Sequence, residues 1–89
     1  MGMIPIPGKM YLNDFPDKIT YTIVRNGEII SKSDGLTNDD ENGNHIAFLY
    51  GTDIQTGDTI SSDFSGKYQV KSTGIDTYRG NPEIIKAYY

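Results

Sequence analysis

The sequence has no cysteine, no tryptophan and a single histidine, His45, among its 89 residues. Without cysteine, no disulfide or thiolate site supplements the core. A lone histidine, with no acid–His spacing on a helix, makes no metal site, and no Gly-x-Ser-x-Gly elbow accompanies it to suggest a nucleophilic serine. Basic residues are also few. Eight Lys and Arg stand against twelve Asp and Glu, a formal charge of −4, and they are scattered from Lys9 to Lys86. That argues against a phosphate-tracking surface, which needs clustered cations. No apolar run approaches the roughly 20 residues that cross a bilayer. The opening Met1-Gly2-Met3-Ile4-Pro5 has neither a basic region nor a long apolar one, so no secretory signal is expected there. The expectation from these absences is a cytoplasmic protein with no membrane contact and no sequence-specific hold on nucleic acid.

The length suits one domain. A chain this short buries only about two-thirds of its unfolded surface. With a hydrophobic fraction of 36%, the seven Tyr and three Phe carry much of the available apolar area.

Residues 1–17 hold Pro5, Pro7 and Pro16 with Gly2 and Gly8, which block helix and break ladders, so an extended arm is expected. The remainder, 18–89, is the domain. Lys18 to Arg25 alternates Ile19, Tyr21 and Ile23 with Thr20, Thr22 and Val24, the period of a strand. Asn26-Gly27 is the strongest short-range hairpin signal, because both central residues of a type I′ turn need positive φ. Glu28 to Ser31 is the return strand. Ser33 to Asn44 has one apolar residue, Leu36, and four acidic ones, and is expected to be a long mobile acidic loop. Three strands follow. His45 to Tyr50 leads through Gly57-Asp58 into Asp58 to Ser62, and Ser65-Gly66 turns into Lys67 to Ser72. A polar loop, Asp76 to Asn81, feeds a last strand ending on Tyr88-Tyr89, where a short helix is the less favoured reading. Alternation predicts a core of Ile19, Tyr21, Ile23, Ile30, Ile46, Phe48, Ile60, Tyr68, Val70, Ile84 and Ala87.

Chemistry-bearing motifs are weak. Asn38, Asp40 and Asn42 alternate before Gly43 as in an EF-hand loop, but the twelfth position is Leu49 instead of the bidentate Glu. The acidic pairs Asp39/Asp40 and Asp53/Asp58 lie in turns or a solvated segment, where a raised carboxyl pKa is not expected. Gly8-Lys9 and Gly66-Lys67 lack the rest of a phosphate loop. No cofactor and no catalysis are expected. Tyr and Arg are enriched at interface hot spots, which singles out Tyr78, Arg79, Tyr88 and Tyr89 as candidate docking residues.

The run from Ile46 to Tyr89 resembles the small head-completion proteins of long-tailed phages, the head–tail connectors or stoppers. The resemblance rests on an apolar strand, then Gly57-Asp58-Thr59-Ile60, then Lys67-Tyr68-Gln69-Val70 across a short turn. The loop Asp76-Thr77-Tyr78-Arg79-Gly80 and the aromatic-ended strand Ile84 to Tyr89 complete it. It covers about half of the chain, and the Pro-rich first 36 residues depart from the pattern. In that family the Gly-Asp turn opens a strand and the Tyr-x-Val strand pairs with it. The resemblance implies an all-β fold, a small SH3-like or related β-barrel, with no catalysis and assembly on a ring of portal, connector and tail proteins. It also implies an internal loop reaching a DNA channel, for which Asp34, Asn38, Asp39, Asp40, Glu41 and Asn42 are the candidates. The protein would sit in the host cytoplasm during assembly and then in the virion, and would be a monomer when isolated. The alternative is a stand-alone small β-barrel module that binds a protein or peptide in a cellular complex.

Overall fold

Most segments between the turns form strands, and β-branched residues are densest in the run Ile19-Thr20-Tyr21-Thr22-Ile23-Val24. In a computed structural model that describes residues 2–3, 18–63 and 66–89, the protein is all-β. The strands are β1 (Gly2–Met3), β2 (Ile19–Arg25), β3 (Glu28–Asp40), β4 (Gly43–Leu49), β5 (Thr59–Ser62), β6 (Gly66–Gln69), β7 (Ser72–Tyr78) and β8 (Asn81–Tyr88). They hydrogen-bond in the order β1-β7-β8-β4-β3-β2-β5-β6. Every pairing is antiparallel except that of the two-residue β1, which lies parallel to β7 with Gly2 opposite Asp76. The last segment is a strand, as its turn-flanked apolar run predicts. The arm expected over 1–17 otherwise lies outside the described residues.

The barrel is a correction: the sheet is not closed. Its edges are β6 and the two-residue β1, and β6 does not pair with β7, the strand that follows it along the chain. Only Val70 and Lys71 separate them, and the amides of those two bond Asp58 O at 2.8 Å and Tyr88 O at 2.7 Å. The sheet is instead bent along β3, whose first part pairs with β2 (Ile19 opposite Gly35) and whose last part pairs with β4 (Leu36 opposite Ala47). The bend brings the inner face of β2 and β5 onto that of β4 and β8.

Between them lies the main core of Tyr21, Ile23, Ile46, Phe48, Ile54, Ile60, Val70 and Ala87, with Ile19, Ile30, Tyr68, Ile85 and Tyr89 packed against it. Tyr21 and Phe48 meet edge to face at 5.9 Å, a favoured aromatic geometry. A bulge at Ile23/Val24 shifts the register so that Val24 faces Ile29 while Ile23 faces Ser31. Ile30 is thereby released to pack on the core. Gly35 sits at the bend because nothing larger fits: a Cβ there would lie 2.8 Å from Ile46 Cγ2 and 2.9 Å from Phe48 Cε1.

The expected acidic loop is also corrected. Ser33 to Asp40 continues β3, Gly43 begins β4, and only Glu41-Asn42 turns. Composition argued for a loop because the segment has little to bury. The ladder forms because Leu36 is buried and because β4, fixed on its other side by β8, supplies a template. The expected polar loop at Asp76 to Asn81 is likewise a tight hairpin, with Tyr78 opposite Asn81 and Arg79-Gly80 at positive φ.

Candidate functional site

The outer face of the β3–β4–β8–β7 quarter carries a second, smaller apolar cluster, Leu36, Ala47 and Ile84 with Leu49 against it. β4 and β8 are therefore buried on both faces, and the residues that share this outer face with the cluster are polar. His45 lies opposite Tyr88, and Lys86 lies between Ala47 and Gly74. Directly opposed residues share a face, so His45, Tyr88, Lys86 and Asp76 converge there with Asp40 from the end of β3.

Lys86 is the centre of this group. Only 8% of it is exposed, and its Nζ lies 2.8 Å from Asp40 Oδ2 and 2.9 Å from Asp76 Oδ1. The contact to Asp40 is a hydrogen bond, whereas that to Asp76 is an ion pair without hydrogen-bond alignment. Tyr88 Oη donates to the same Asp40 Oδ2 at 2.7 Å, and Asp40 Oδ1 accepts the Asn42 N–H at 2.8 Å. The Lys86 ammonium also lies 5.6 Å from the Tyr88 ring centre. Gly74 makes room for this crossing, since a Cβ there would meet Tyr88 Cε2 at 3.2 Å. The His45 ring packs edge-on against Tyr88 at 5.1 Å, with Nδ1 3.4 Å from Gly43 O and 3.8 Å from Asp40 Oδ2. A cavity of about 490 Å³ opens beside the group, walled by Asp40, Glu41, Asn42, Gly74, Lys86 and Tyr88 among others.

Three of these groups have their pKa displaced by their neighbours. Burial works against the Lys86 charge, but Asp40, the Tyr88 hydroxyl and the Asp76 carboxylate together outweigh it and hold the pKa above the ordinary lysine value. The Lys86 and Tyr88 donors hold the Asp40 carboxyl well below the usual carboxylate range. Burial pushes His45 below 6.5, against the weaker pull of Gly43 O and Asp40. Lys86 is thus a poor base, Asp40 a poor acid and His45 a neutral ring. The arrangement suits rigid presentation of the β3–β4 turn.

A second ionic group stands at the turn into β5. Asp58, 2% exposed, takes Arg25 Nε and Nη2 at 2.9 Å each, and its Oδ2 also accepts the Gln55 N–H at 2.9 Å. Arg25 further reaches Asp53 Oδ1 at 2.9 Å. The Arg25 bonds hold Asp58 below the ordinary carboxylate value. The acidic pair Asp53/Asp58 is therefore an arginine clamp that fixes the turn into β5.

The sequence candidates are distributed as follows. Asp40, Glu41, Asn42 and Tyr88 come together at the cavity, joining two sets that the sequence treats separately. Asp34 stands on β3, accepting the Thr20 hydroxyl at 2.7 Å, and Asp39 N–H bonds Asn38 Oδ1 at 2.9 Å. Tyr88 is buried, with its hydroxyl turned to Asp40, and Tyr89 packs on Tyr68 at 4.3 Å between ring centres. Neither is a free surface tyrosine. Tyr78 and Arg79 sit at the β7–β8 turn, the guanidinium 5.3 Å from the Tyr78 ring centre. Sequence reasoning missed Lys86, His45, Asp76 and the Arg25–Asp58 clamp as a set. The available signal was Lys86 itself, a charge inside the apolar run Ile84 to Tyr88, which requires partners when a strand is buried on both faces.

No known family model, curated protein or solved structure matches the chain.

Proposed function

We propose that this protein is a structural component of a phage or prophage virion, acting at the head–tail junction by protein–protein contact on a ring of portal or connector subunits. The observation that carries the contact role is Arg79. It occupies φ 52 in an exposed two-residue turn, a conformation that disfavours side chains other than Asn, Asp or Gly. The fold has no need of arginine there. What the arginine does supply is a guanidinium held over Tyr78, a pair typical of interface anchors. Local strain retained at an exposed tip points to a function for that tip.

The connector assignment is supported by the residues that carry the resemblance. Gly57-Asp58 precedes β5, β6 pairs with it through Ile60 opposite Tyr68, and Val70 N–H bonds Asp58 O. The Lys86–Asp40–Tyr88 contacts, closed on one another by hydrogen bond and ion pair, favour a scaffold over a reaction centre. At a DNA passage, the β3–β4 turn with Asp39, Asp40 and Glu41 would repel the phosphates.

The test is co-sedimentation with portal or connector rings encoded beside this gene, using the parent and Arg79→Asn. The parent should pellet with the rings. The variant should fold with a higher thermal midpoint yet pellet less. Failure of the parent to bind any ring, with tight binding to a cellular protein instead, would establish the stand-alone binding module.

A further inference from the structure

The outer face of the β3–β2–β5–β6 quarter carries one straight cross-strand row. Lys32 lies opposite Thr22, Thr22 opposite Ser61, and Ser61 opposite Lys67. Directly opposed residues share a face, so two lysines bracket two hydroxyls. The row floors a shallow cavity of about 450 Å³ whose walls include Thr20, Ser62 and Asp63. Both lysines are exposed, and neither forms an ion pair among the described residues. That contrasts with Arg25 and Lys86, which are each held by two carboxylates. Two acidic groups lie nearby: Asp34 accepts the Thr20 hydroxyl, and Asp63 stands exposed in the cavity wall, neither of them in an ion pair with the lysines.

We propose that this row is a docking site for an extended acidic segment of a partner protein, with one carboxylate on Lys32, one on Lys67, and the Thr22 and Ser61 hydroxyls donating to the backbone carbonyls between them. Charge complementarity selects the occupant. In a chain of net charge −4, two exposed lysines outside the ion pairs of the described residues, over a floor of donors, attract anionic oxygen and offer an apolar ligand little. Three inter-strand steps of about 4.8 Å place the two lysines about 14 Å apart. That is too far for one small anion to bridge closely. An extended peptide covers about 13 Å in four residues, and residues i and i+4 of a strand point to the same side. The site therefore reads acidic residues spaced by four in a segment crossing the strands. The proposal rests on the contact role argued above for the source of that segment, but its chemistry is tested separately.

The probe is the blocked peptide Glu-Thr-Thr-Thr-Glu, titrated into ¹⁵N-labelled full-length protein at low salt, with Gln-Thr-Thr-Thr-Gln, inorganic phosphate and inorganic sulfate as comparisons. Saturable shifts at Thr22, Lys32, Ser61 and Lys67, weakened by salt and at least tenfold weaker in the Lys32→Gln/Lys67→Gln variant, are the expected result. Both positions are exposed, so the variant should keep the parent's thermal midpoint. No saturable shift, equal binding by the variant, or phosphate or sulfate binding as tightly as the peptide would overturn it. Co-sedimentation reads the other claim. A parent that pellets with rings but ignores the peptide sinks the acidic-segment site alone, and peptide binding without ring binding sinks the junction alone.

Discussion

Tyr88 Oη donates a 2.7 Å hydrogen bond to Asp40 Oδ2 across 48 positions of sequence, on the same oxygen that holds Lys86. One carboxylate oxygen thus ties the end of β3 to β8. Lys86→Met should leave Asp40 and Asp76 without their shared cation and lower stability by about 2 kcal/mol, less than breaking a fully buried pair costs because the Asp40 side chain is 26% exposed. In a double-mutant cycle by chemical denaturation, Asp40→Asn should then add less than its own single effect. Strict additivity would show that the three side chains do not act together.

Acid should unfold the protein in two stages. The folded pKa of His45 lies below its ordinary 6.5, so between those values the unfolded chain binds more protons and stability falls as pH falls. Asp40 and Asp58 are likewise depressed below 3.8, and their contribution, full at neutral pH, drains as pH drops below that value. Denaturation midpoints measured from pH 8 to pH 3 should decline first from about pH 6.5 and more steeply below about pH 4. His45→Gln should remove the first decline and keep the second.

The core alternation is legible in the sequence, and so is the Asn26-Gly27 hairpin, with φ 54 and 81 at its centre. Of the residues assigned to the core by period two, Tyr21, Ile23, Ile46, Phe48, Ile60, Val70, Ile84 and Ala87 are buried. Ile19, Ile30 and Tyr68 pack on the core's margin. The miss is physical. Period two assumes one wet face, whereas β4 and β8 are covered on both, so Ala47, Leu36 and Tyr88 are buried as well and Ile84 belongs to the opposite cluster. Composition misleads over the acidic segment because it reports what a segment can bury alone, not the neighbour it can pair with. The Asp40–Lys86–Tyr88 group depends on long-range register, which no local pattern carries.

Gly35→Ala should destabilise by roughly 1 to 3 kcal/mol, since the added methyl would sit within 3 Å of both Ile46 and Phe48 in a core that has no room to yield. Thermal melts should show Gly35→Val worse still. A neutral Gly35→Ala would mean that the bend in β3 can open.

Gly27→Val should cost roughly 1 kcal/mol or more, because a β-branched residue must adopt φ 81 in the β2–β3 turn. Nothing lies within 4 Å of the missing Cβ, so the loss would be conformational and not steric crowding. Equal stability of variant and parent in urea would assign the turn another geometry.

Peptide mass spectrometry of virus particles purified from cultures that carry this gene tests the proposed assembly into a virion most directly. On the proposed role, the protein should be found in intact particles at a small fixed copy number matching a ring at the head–tail vertex, and deletion of the gene should leave tailless or leaking heads. Its absence from particles, with unchanged particles on deletion, would contradict the account.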